Sequence, residues 1–221
     1  MTGGRERYEC AISRFDAINA ADPNLETVDA AREPKELVYA RRMSEMLERL
    51  APDAPEAVRL AARCQHVRRW EIPRARYPAM PEGYKAWRAR LLDFHAEAGA
   101  AVLRECGYDE AMVASVASLL RKERLKRNPD AQLLEDVIGL VFLQFYLADF
   151  VAQHPQYDDA KFTDILQKTF RKMSARGREA AGTLVAVPVD LAAIVAQAAR
   201  ASITSLRSAA DHSAGATPVR K

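Results

Sequence analysis

Apolar residues recur every three to four positions along most of the chain, and segments in which apolar and polar residues alternate are nearly absent. That spacing places the apolar side chains on one face of an α-helix. We predict helices over residues 9–21, 35–50, 55–70, 84–106, 109–126, 132–152, 158–177 and 191–206. The pattern therefore favours an all-α fold, a single bundle of about seven to nine helices with no significant sheet.

Helix-ending residues divide this pattern into elements. Asn128-Pro129 combines a capping side chain with a proline at the first position of a helix. Gly107 is placed to end the helix predicted over residues 84–106. Three prolines within residues 71–83 predict an irregular loop. We expect one domain over residues 5–207, followed by a small, polar and disordered tail over residues 208–221.

The composition is that of a globular protein with a core of its own. The chain has 221 residues, of which 49% are hydrophobic and 29% charged. The longest uncharged apolar stretch, residues 137–148, is too short to span a membrane. Charged residues at positions 5–9 leave no apolar run for a signal peptide. We therefore expect a cytoplasmic protein that does not enter a membrane.

The three cysteines, Cys10, Cys64 and Cys106, lie far apart and match no zinc-binding spacing. An odd number of widely spaced cysteines is typical of a reducing compartment, in which thiols serve as small core residues. We expect that role for all three.

Basic residues are clustered although the formal net charge is only +3. The segment 59–78, RLAARCQHVRRWEIPRARYP, holds six arginines, one histidine and two aromatic residues against a single acid, Glu71. A second run, residues 121–127, holds five basic residues around Glu123. Arginine forks match phosphate and carboxylate geometry, and the interleaved rings could stack on a nucleobase. We predict an anion-binding surface formed by Arg63, Arg68, Arg69, Trp70, Arg74, Arg76, Tyr77 and Lys122. The alternative is a solvated charged face whose aromatic residues serve packing.

Two histidines are candidates for chemistry. On a helical wheel His66 shares a side with Arg63 and Trp70, and neighbouring arginines disfavour a charged imidazole. A neutral imidazole can bind a metal or act as a general base, but it can equally be an inert, hydrogen-bonded side chain. His95 lies on an apolar helix face, where its ring needs a metal, a carboxylate or a backbone carbonyl as its partner.

Two acids lie in the second turn of the most apolar predicted helix, Glu135 and Asp136. Asp136 shares a face with apolar residues, so we expect its carboxylate to be buried and paired. The predicted partner is either a bound cation or one of two arginines, Arg41 and Arg42.

Four segments resemble HD-domain phosphohydrolases, in the order in which those proteins carry them. FHAEAGAAVLRECGYDEAMVASV (94–116) is similar to the middle of the HD domain, and RLAARCQHV (59–67) to the segment with the His-Asp pair. LLEDVIGL (133–140) is similar to the helix with the final aspartate, and ELVYARRM (36–43) to the first helix. The resemblance implies an HD-like helical bundle, a divalent metal and hydrolysis of a phosphate ester.

The chain departs from the HD pattern at its most diagnostic positions. Tyr39 stands where the first-helix histidine falls, Gln65 and His66 stand where the His-Asp pair falls, and the histidines expected near residues 119–120 are absent. The resemblance then implies a rearranged metal site of His66, His95 and Asp136. Either Gln65 or Glu135 would orient the water, so the implied catalytic residues are Gln65, His66, Glu135 and Asp136.

The strings YARRM, RLAARCQH, RRWEIPRARYP, GYKAWR, FHAEAG, RKERLKRNPDAQLLEDVIGLVFL and KTFRKMS together resemble the uncharacterised domain-of-unknown-function family 4202. This likeness runs over residues 15–177 and implies one family-sized domain. It implies no activity.

Two functional hypotheses follow. The first is binding, with metal-dependent hydrolysis, of a phosphorylated small molecule or nucleotide. The alternative is a non-enzymatic module that contacts RNA or an acidic partner through its Arg/Trp/Tyr surface. Salt dependence separates them, because contact with RNA through several arginines weakens steeply as salt rises.

Overall fold

The computed structural model describes residues 2–214 of the chain, with side chains over residues 3–201. The described part contains ten α-helices and one two-stranded antiparallel sheet, so the predicted all-α class is confirmed. The elements are α1 Thr2–Asn19, β1 Leu25–Val28, β2 Ala31–Pro34, α2 Lys35–Leu50, α3 Glu56–Cys64, α4 Pro81–Glu105, α5 Glu110–Leu120, α6 Pro129–Val141, α7 Leu147–Ala152, α8 Asp159–Lys172, α9 Ala175–Thr183 and α10 Val189–Ala214. Short 3₁₀ turns follow α3, and a π-helix, Phe142–Tyr146, separates α6 from α7.

The chain divides into two compact units, residues 1–134 and 135–221, with the boundary inside α6. The domain predicted over residues 5–207 therefore includes parts of both units. The predicted tail, residues 208–221, begins within α10, and residues 215–221 lie outside the described part.

In the first unit α3 is the central helix. It packs against α1, α2 and α5, while α4 packs against α5. Val58, Leu60 and Ala61 are fully buried, and so are Ala62 and Cys64. Because α3 is buried on nearly all sides, the residues directly after its last turn enter the interior of the unit.

The helix around His66 is shorter than predicted. The pattern predicts a helix to residue 70, but α3 ends at Cys64 and two tight turns follow. Arg68 adopts a left-handed conformation with φ 58°, which no helix interior allows. Likewise α5 ends at Leu120 instead of residue 126, because Lys122 and Arg124 have φ values of 58° and 52°.

The sequence correctly predicted the end of α4 and the starts of α5 and α6. Gly107 has a φ of 79° and ends α4 in the left-handed conformation. The Asp109 side chain accepts a hydrogen bond from the Met112 N–H at the start of α5. Asn128 accepts from the N–H of Asp130, so the predicted start of α6 is confirmed.

The hairpin between α1 and α2 was not predicted from the sequence. Its strands pair Leu25 with Pro34 and Val28 with Ala31. The turn residues Asp29 and Ala30 have φ values of 47° and 69°, as the commonest two-residue hairpin turn requires. Asp-Ala is not a sequence typical of that turn, which is why the pattern does not reveal it.

In the second unit α8 packs against α10. The helix predicted over residues 158–177 is broken at Met173 and Ser174, and the Ser174 hydroxyl accepts from the Gly177 N–H at the start of α9. The apolar stretch over residues 137–148 continues from α6 through the π-helix into α7. Of the helices in the described residues, none has the length and apolar character needed to cross a membrane.

A disulfide joins Cys10 of α1 to Cys106 at the end of α4. The expectation that all three cysteines are free core residues was therefore wrong for these two. Cys64 does fit it, because its thiol is buried. The two joined cysteines are separated by 96 residues in the sequence, so the bond closes most of the first unit into one covalent loop.

We expect reduction of this disulfide to lower the free energy of unfolding by about 2–4 kcal/mol, because closing so long a loop restricts the unfolded chain. Urea denaturation with and without reductant measures the change. The Cys10→Ser variant is the control, since reductant should no longer affect it. Alkylation of unreduced, denatured wild type should modify Cys64 alone, and modification of all three cysteines would contradict the bond.

Candidate anion-binding site

Six polar residues of the first unit form one largely buried group, which we call the polar cluster. Glu36, Gln65 and His95 are each less than 9% exposed. The side chains of His66 and Arg69 are 15% and 22% exposed. The cluster consists of Glu36, Tyr39, Gln65, His66, Arg69 and His95.

Three parts of the chain bring these side chains together. Glu36 and Tyr39 come from the first two turns of α2. Gln65, His66 and Arg69 follow the end of α3, in the turns that the left-handed residue at position 68 permits. His95 lies in the middle of α4.

The centre of the cluster is a row of three charged or titratable groups. The His66 ring lies with Nδ1 3.1 Å from Glu36 Oε2 and Nε2 3.0 Å from Arg69 Nη1. Arg69 Nε is also 3.7 Å from the other carboxylate oxygen of Glu36. Because a guanidinium can only donate, Nε2 must accept its hydrogen bond. His66 is then the neutral tautomer that carries its proton on Nδ1 and donates it to Glu36.

Tyr39 fixes the plane of the His66 ring. The two rings are stacked, with centroids 3.9 Å apart and an interplanar angle of 13°. The Tyr39 hydroxyl donates to Gln65 Oε1 at 2.6 Å. Tyr39 therefore both packs on the His66 ring and holds the Gln65 side chain.

His95 was predicted to be buried with a metal, a carboxylate or a carbonyl as its partner, and it is 3% exposed. Its Nδ1 lies 2.9 Å from the Val67 carbonyl oxygen, which is the last of these alternatives. Its Nε2 is buried and has no hydrogen-bond partner among the described residues. The His66 and His95 ring centroids are 5.8 Å apart, so this unsatisfied atom belongs to the same cluster.

Burial and positive charge together keep both imidazoles neutral. Burial lowers the pKa of His66 well below its ordinary value, and nearby cations lower it further. The pKa of His95 falls to about 3, first through burial and then through His66. Burial raises the pKa of Glu36 to about 7, although Arg69 opposes this. The cations that act on His66 are Arg69, Arg88, Lys122 and Lys35.

The ring of Trp87 packs against the Arg69 guanidinium. The Arg69 Cζ lies 5.0 Å from the centre of the Trp87 ring. The Trp87 indole N–H donates to the Ile72 carbonyl at 2.9 Å and so ties the loop after the cluster to α4. This stacking holds the guanidinium plane in a set orientation.

Other predicted anion-binding arginines have structural partners. Arg63 makes two hydrogen bonds to the Asp16 carboxylate, at 2.7 and 2.6 Å. Arg68 makes two to Glu71, at 2.6 and 2.8 Å. Arg74 donates to two backbone carbonyls of its own loop, those of Tyr77 and Pro78. Trp70 is half-buried.

Two further predicted residues, Arg76 and Tyr77, line an open pocket instead of the polar cluster. This pocket of about 390 Å³ is lined by Glu71, Ile72, Arg76, Tyr77, Arg90 and Phe94. Phe94 also contacts the ring of His95, at 5.9 Å between centroids. The sequence prediction thus combined residues of two neighbouring places on the first unit.

The two predicted acids belong to the second unit. Asp136 is buried, as expected, but its observed partner is Ser174, whose N–H and hydroxyl donate to Oδ1 at 2.7 Å and Oδ2 at 2.5 Å. The arginines predicted as alternatives pair elsewhere, Arg41 with Glu33 and Arg42 with Glu26. Gly177 packs so closely on Asp136 that a Cβ there would lie 2.5 Å from the carboxylate carbon. Glu135 is also buried.

The residues predicted to bind a metal have other partners in this structure. His66 presents Nδ1 to a carboxylate and Nε2 to a guanidinium, and Asp136 uses both oxygens to hold the start of α9. Within the described residues, no group of three or more His, Cys, Asp or Glu side chains is arranged to hold a metal ion. A metal site formed by His66, His95 and Asp136 stays a prediction.

Glu36 and Arg88 were not predicted as site residues. Glu36 occupies the first turn of α2, where an acid is usual at any helix start. Its apolar neighbours, Leu37 and Val38, were the available signal, because an acid next to residues that become buried needs a partner. Nothing in the spacing of Arg88 distinguishes it from the other basic residues of segment 85–90.

The fold and the cluster together define a helical protein in which a carboxylate, a histidine and an arginine are in contact and further cations lower the pKa of the histidine. A family model, described as Domain of unknown function (DUF4202), matches residues 9–195, and the chain belongs to that family. Neither the curated proteins nor the solved structures contain a match to the chain. Family membership is thus confirmed, while the likeness to HD-domain phosphohydrolases stays a prediction.

The raised pKa of Glu36 predicts a specific pH dependence of stability. The folded protein binds the Glu36 proton more tightly than the unfolded chain does. The folded state therefore loses stability as the pH rises from 4.5, the ordinary pKa of a glutamate, to about 7, the pKa of Glu36 in the folded protein. Glu36→Gln has no carboxyl at this position, so its stability does not fall with pH for this reason. The unfolding free energy of the variant relative to wild type should therefore increase by on the order of 2 kcal/mol across that window.

Urea denaturation at several pH values between 4 and 8 measures this difference. Glu45→Gln is the matched control, because Glu45 lies on the exposed side of the same helix, and it should show no such trend. A difference between Glu36→Gln and wild type that is constant across the window, or that falls with pH, would refute the assignment.

Proposed function

We propose that the first unit binds a phosphorylated small molecule or nucleotide at the polar cluster. The observation that supports this most is the charge around His66. Arg69 contacts the imidazole directly, and Arg88, Lys122 and Lys35 also lower its pKa, whereas a single buried carboxylate, Glu36, contacts the ring. An excess of positive charge around a partly buried site favours an anionic ligand, and a low local dielectric strengthens the attraction.

The cations come from separate elements that surround the cluster. Arg69 follows α3, Arg88 lies on α4, and Lys122 follows α5. Arginine offers a planar pair of donors that matches two oxygens of a phosphate, and lysine adds a point charge. Lys122 stands in the left-handed conformation, which costs a non-glycine residue on the order of 1 kcal/mol. A charged side chain kept at such a position is consistent with a role in binding.

Hydrolysis of the bound phosphate is the finer part of this proposal. It needs a group that activates water, and His66 is the candidate within the cluster because it is a neutral imidazole held by a carboxylate. Gln65, whose side chain Tyr39 holds, is the candidate that orients the water.

Calorimetric titration with inorganic phosphate and with AMP tests the binding proposal. Wild type should bind at least one of them. Arg88→Gln should weaken that binding about tenfold, since a hydrogen bond to a charged group contributes roughly 1.5–3 kcal/mol. Lys122→Gly should weaken it as well, because this variant removes one of the cations near His66 while glycine still adopts the left-handed conformation.

Arg121→Gln is the matched control. Arg121 lies next to Lys122, but it pairs with Asp93 and is not among the cations that act on His66. The affinity of Arg121→Gln for phosphate or AMP should stay within twofold of that of wild type. Failure of wild type to bind either ligand refutes the proposal. Binding of single-stranded RNA that weakens steeply with salt, in wild type and less so in Arg76→Gln, would instead favour the RNA-binding alternative.

The divalent metal implied by the HD resemblance is tested separately by metal analysis of protein purified without added metal. Bound metal near one equivalent, lost in both His66→Ala and Asp136→Ala, would support metal-dependent hydrolysis. Wild type without metal, and with a melting temperature that divalent ions do not raise, would exclude that mechanism. The binding proposal does not depend on this result.

A further inference from the structure

The open pocket that Arg76 and Tyr77 line combines an apolar wall with charged side chains, and we call it the arginine-rimmed pocket. Its volume is about 390 Å³. Ile72, Tyr77 and Phe94 form the apolar wall, and each of them is half-buried. A volume of this size, with aromatic and aliphatic side chains in the lining, is typical of sites that bind small organic molecules.

The loop that forms one wall of this pocket is fixed against α4. The Trp87 indole N–H donates to the Ile72 carbonyl at 2.9 Å, and Arg74 donates to two carbonyls of the same loop. A Cβ at position 83 would collide with the Pro78 carbonyl oxygen, so Gly83 allows the loop to lie directly on the first turn of α4. Because the wall is already ordered, a ligand does not have to order it on binding.

The charged residues of the pocket leave an excess of positive charge. The acid among the lining residues, Glu71, accepts two hydrogen bonds from Arg68, at 2.6 and 2.8 Å. Arg76 donates to the backbone carbonyl of Glu71, a contact that does not neutralise its charge. Arg90 lies 3.5 Å from Glu97, but the two side chains are 47% and 58% exposed, so water competes with this pair. The pocket therefore favours an anionic ligand.

The aromatic residues of the pocket favour a flat ligand. The Phe94 ring has guanidinium groups on it already, with the Cζ atoms of Arg68 and Arg90 at 5.5 and 5.8 Å from its centre. Tyr77 supplies a second ring in the lining. Aromatic faces and guanidinium planes both stack on planar rings, whereas a saturated ligand gains only burial.

We propose that the arginine-rimmed pocket binds a planar aromatic ring that carries an anionic group, either a carboxylate or a phosphate. The ring packs on Phe94 and Tyr77, and the anionic group accepts hydrogen bonds from Arg76 and Arg90. None of the lining residues belongs to the polar cluster, so this is a second site. It does not depend on phosphate binding at the cluster.

Amide NMR titration of the full-length protein with naphthoate, its saturated analogue decahydronaphthoate, and AMP tests the inference. Naphthoate should shift the amide signals of Ile72, Tyr77 and Phe94. The saturated acid has the same charge but is not planar, and it should bind about tenfold more weakly. AMP shifts of the same signals that persist in Arg88→Gln would assign a phosphate as the anionic group, and shifts by naphthoate alone would assign a carboxylate. Equal affinity for the planar and the saturated acid would overturn the inference.

Matched variants test the residues that the pocket uses. Arg90→Gln should weaken naphthoate binding about tenfold, because it removes a charged hydrogen-bond donor. Lys85→Gln removes the same charge from an exposed position of the same helix outside the pocket, and its affinity should stay within twofold of wild type. Tyr77→Ala should also weaken binding about tenfold, whereas Tyr77→Phe keeps the ring and should bind like wild type. Equal weakening in Arg90→Gln and Lys85→Gln would reveal unspecific attraction and overturn the inference.

The same variants separate this site from that of the proposed function. Arg88→Gln should lower the affinity for inorganic phosphate and leave naphthoate binding unchanged, while Arg90→Gln should do the reverse. Phosphate binding without any shift of the pocket signals by naphthoate or AMP would overturn this inference alone. Naphthoate binding in a protein that binds neither phosphate nor AMP would support this inference and refute the proposed function.

Discussion

The burial of the Glu36 carboxylate is the constraint on which the organisation of the first unit depends. A buried acid needs partners, and here they are the imidazole of His66 and the guanidinium of Arg69. For both to reach it, the chain after α3 must leave the helix at once and turn back. The short α3, the left-handed turn at position 68 and the stacked ring of Tyr39 all meet this one requirement.

Sequence patterns predicted features that depend on neighbours along the chain. The apolar face around His95, the left-handed cap at Gly107 and the capped start at Asn128 are set by residues within one or two turns, and each was read correctly. The polar cluster depends on residues up to 59 positions apart, from Glu36 to His95. Apart from the contact of His66 with Arg69, its contacts join residues that are 26 or more positions apart. The sequence therefore identified His66 and His95 as candidates but neither their partners nor the role of Glu36.

Clustering of basic residues in the sequence did not distinguish the arginines that pair with an acid of the fold from the cations that affect the polar cluster. Arg63 and Arg68 are each held by two hydrogen bonds to an acid, and they therefore serve the fold. Lys35 and Arg88, outside the predicted set, act on His66 instead. Arginine suits both uses because its planar fork pairs with an internal carboxylate as well as with a ligand. Only the three-dimensional arrangement distinguishes them.

The left-handed residue at position 68 couples the geometry of the site to one backbone dihedral angle. His66 and Arg69 are three residues apart, and their side chains meet at 3.0 Å with this residue between them. A β-branched residue there would resist positive φ and turn Arg69 away from the ring. The contact would then be lost although Glu36, His66 and Arg69 were all still present. Among relatives of this chain, the residue at this position is therefore as informative about the site as the polar side chains themselves.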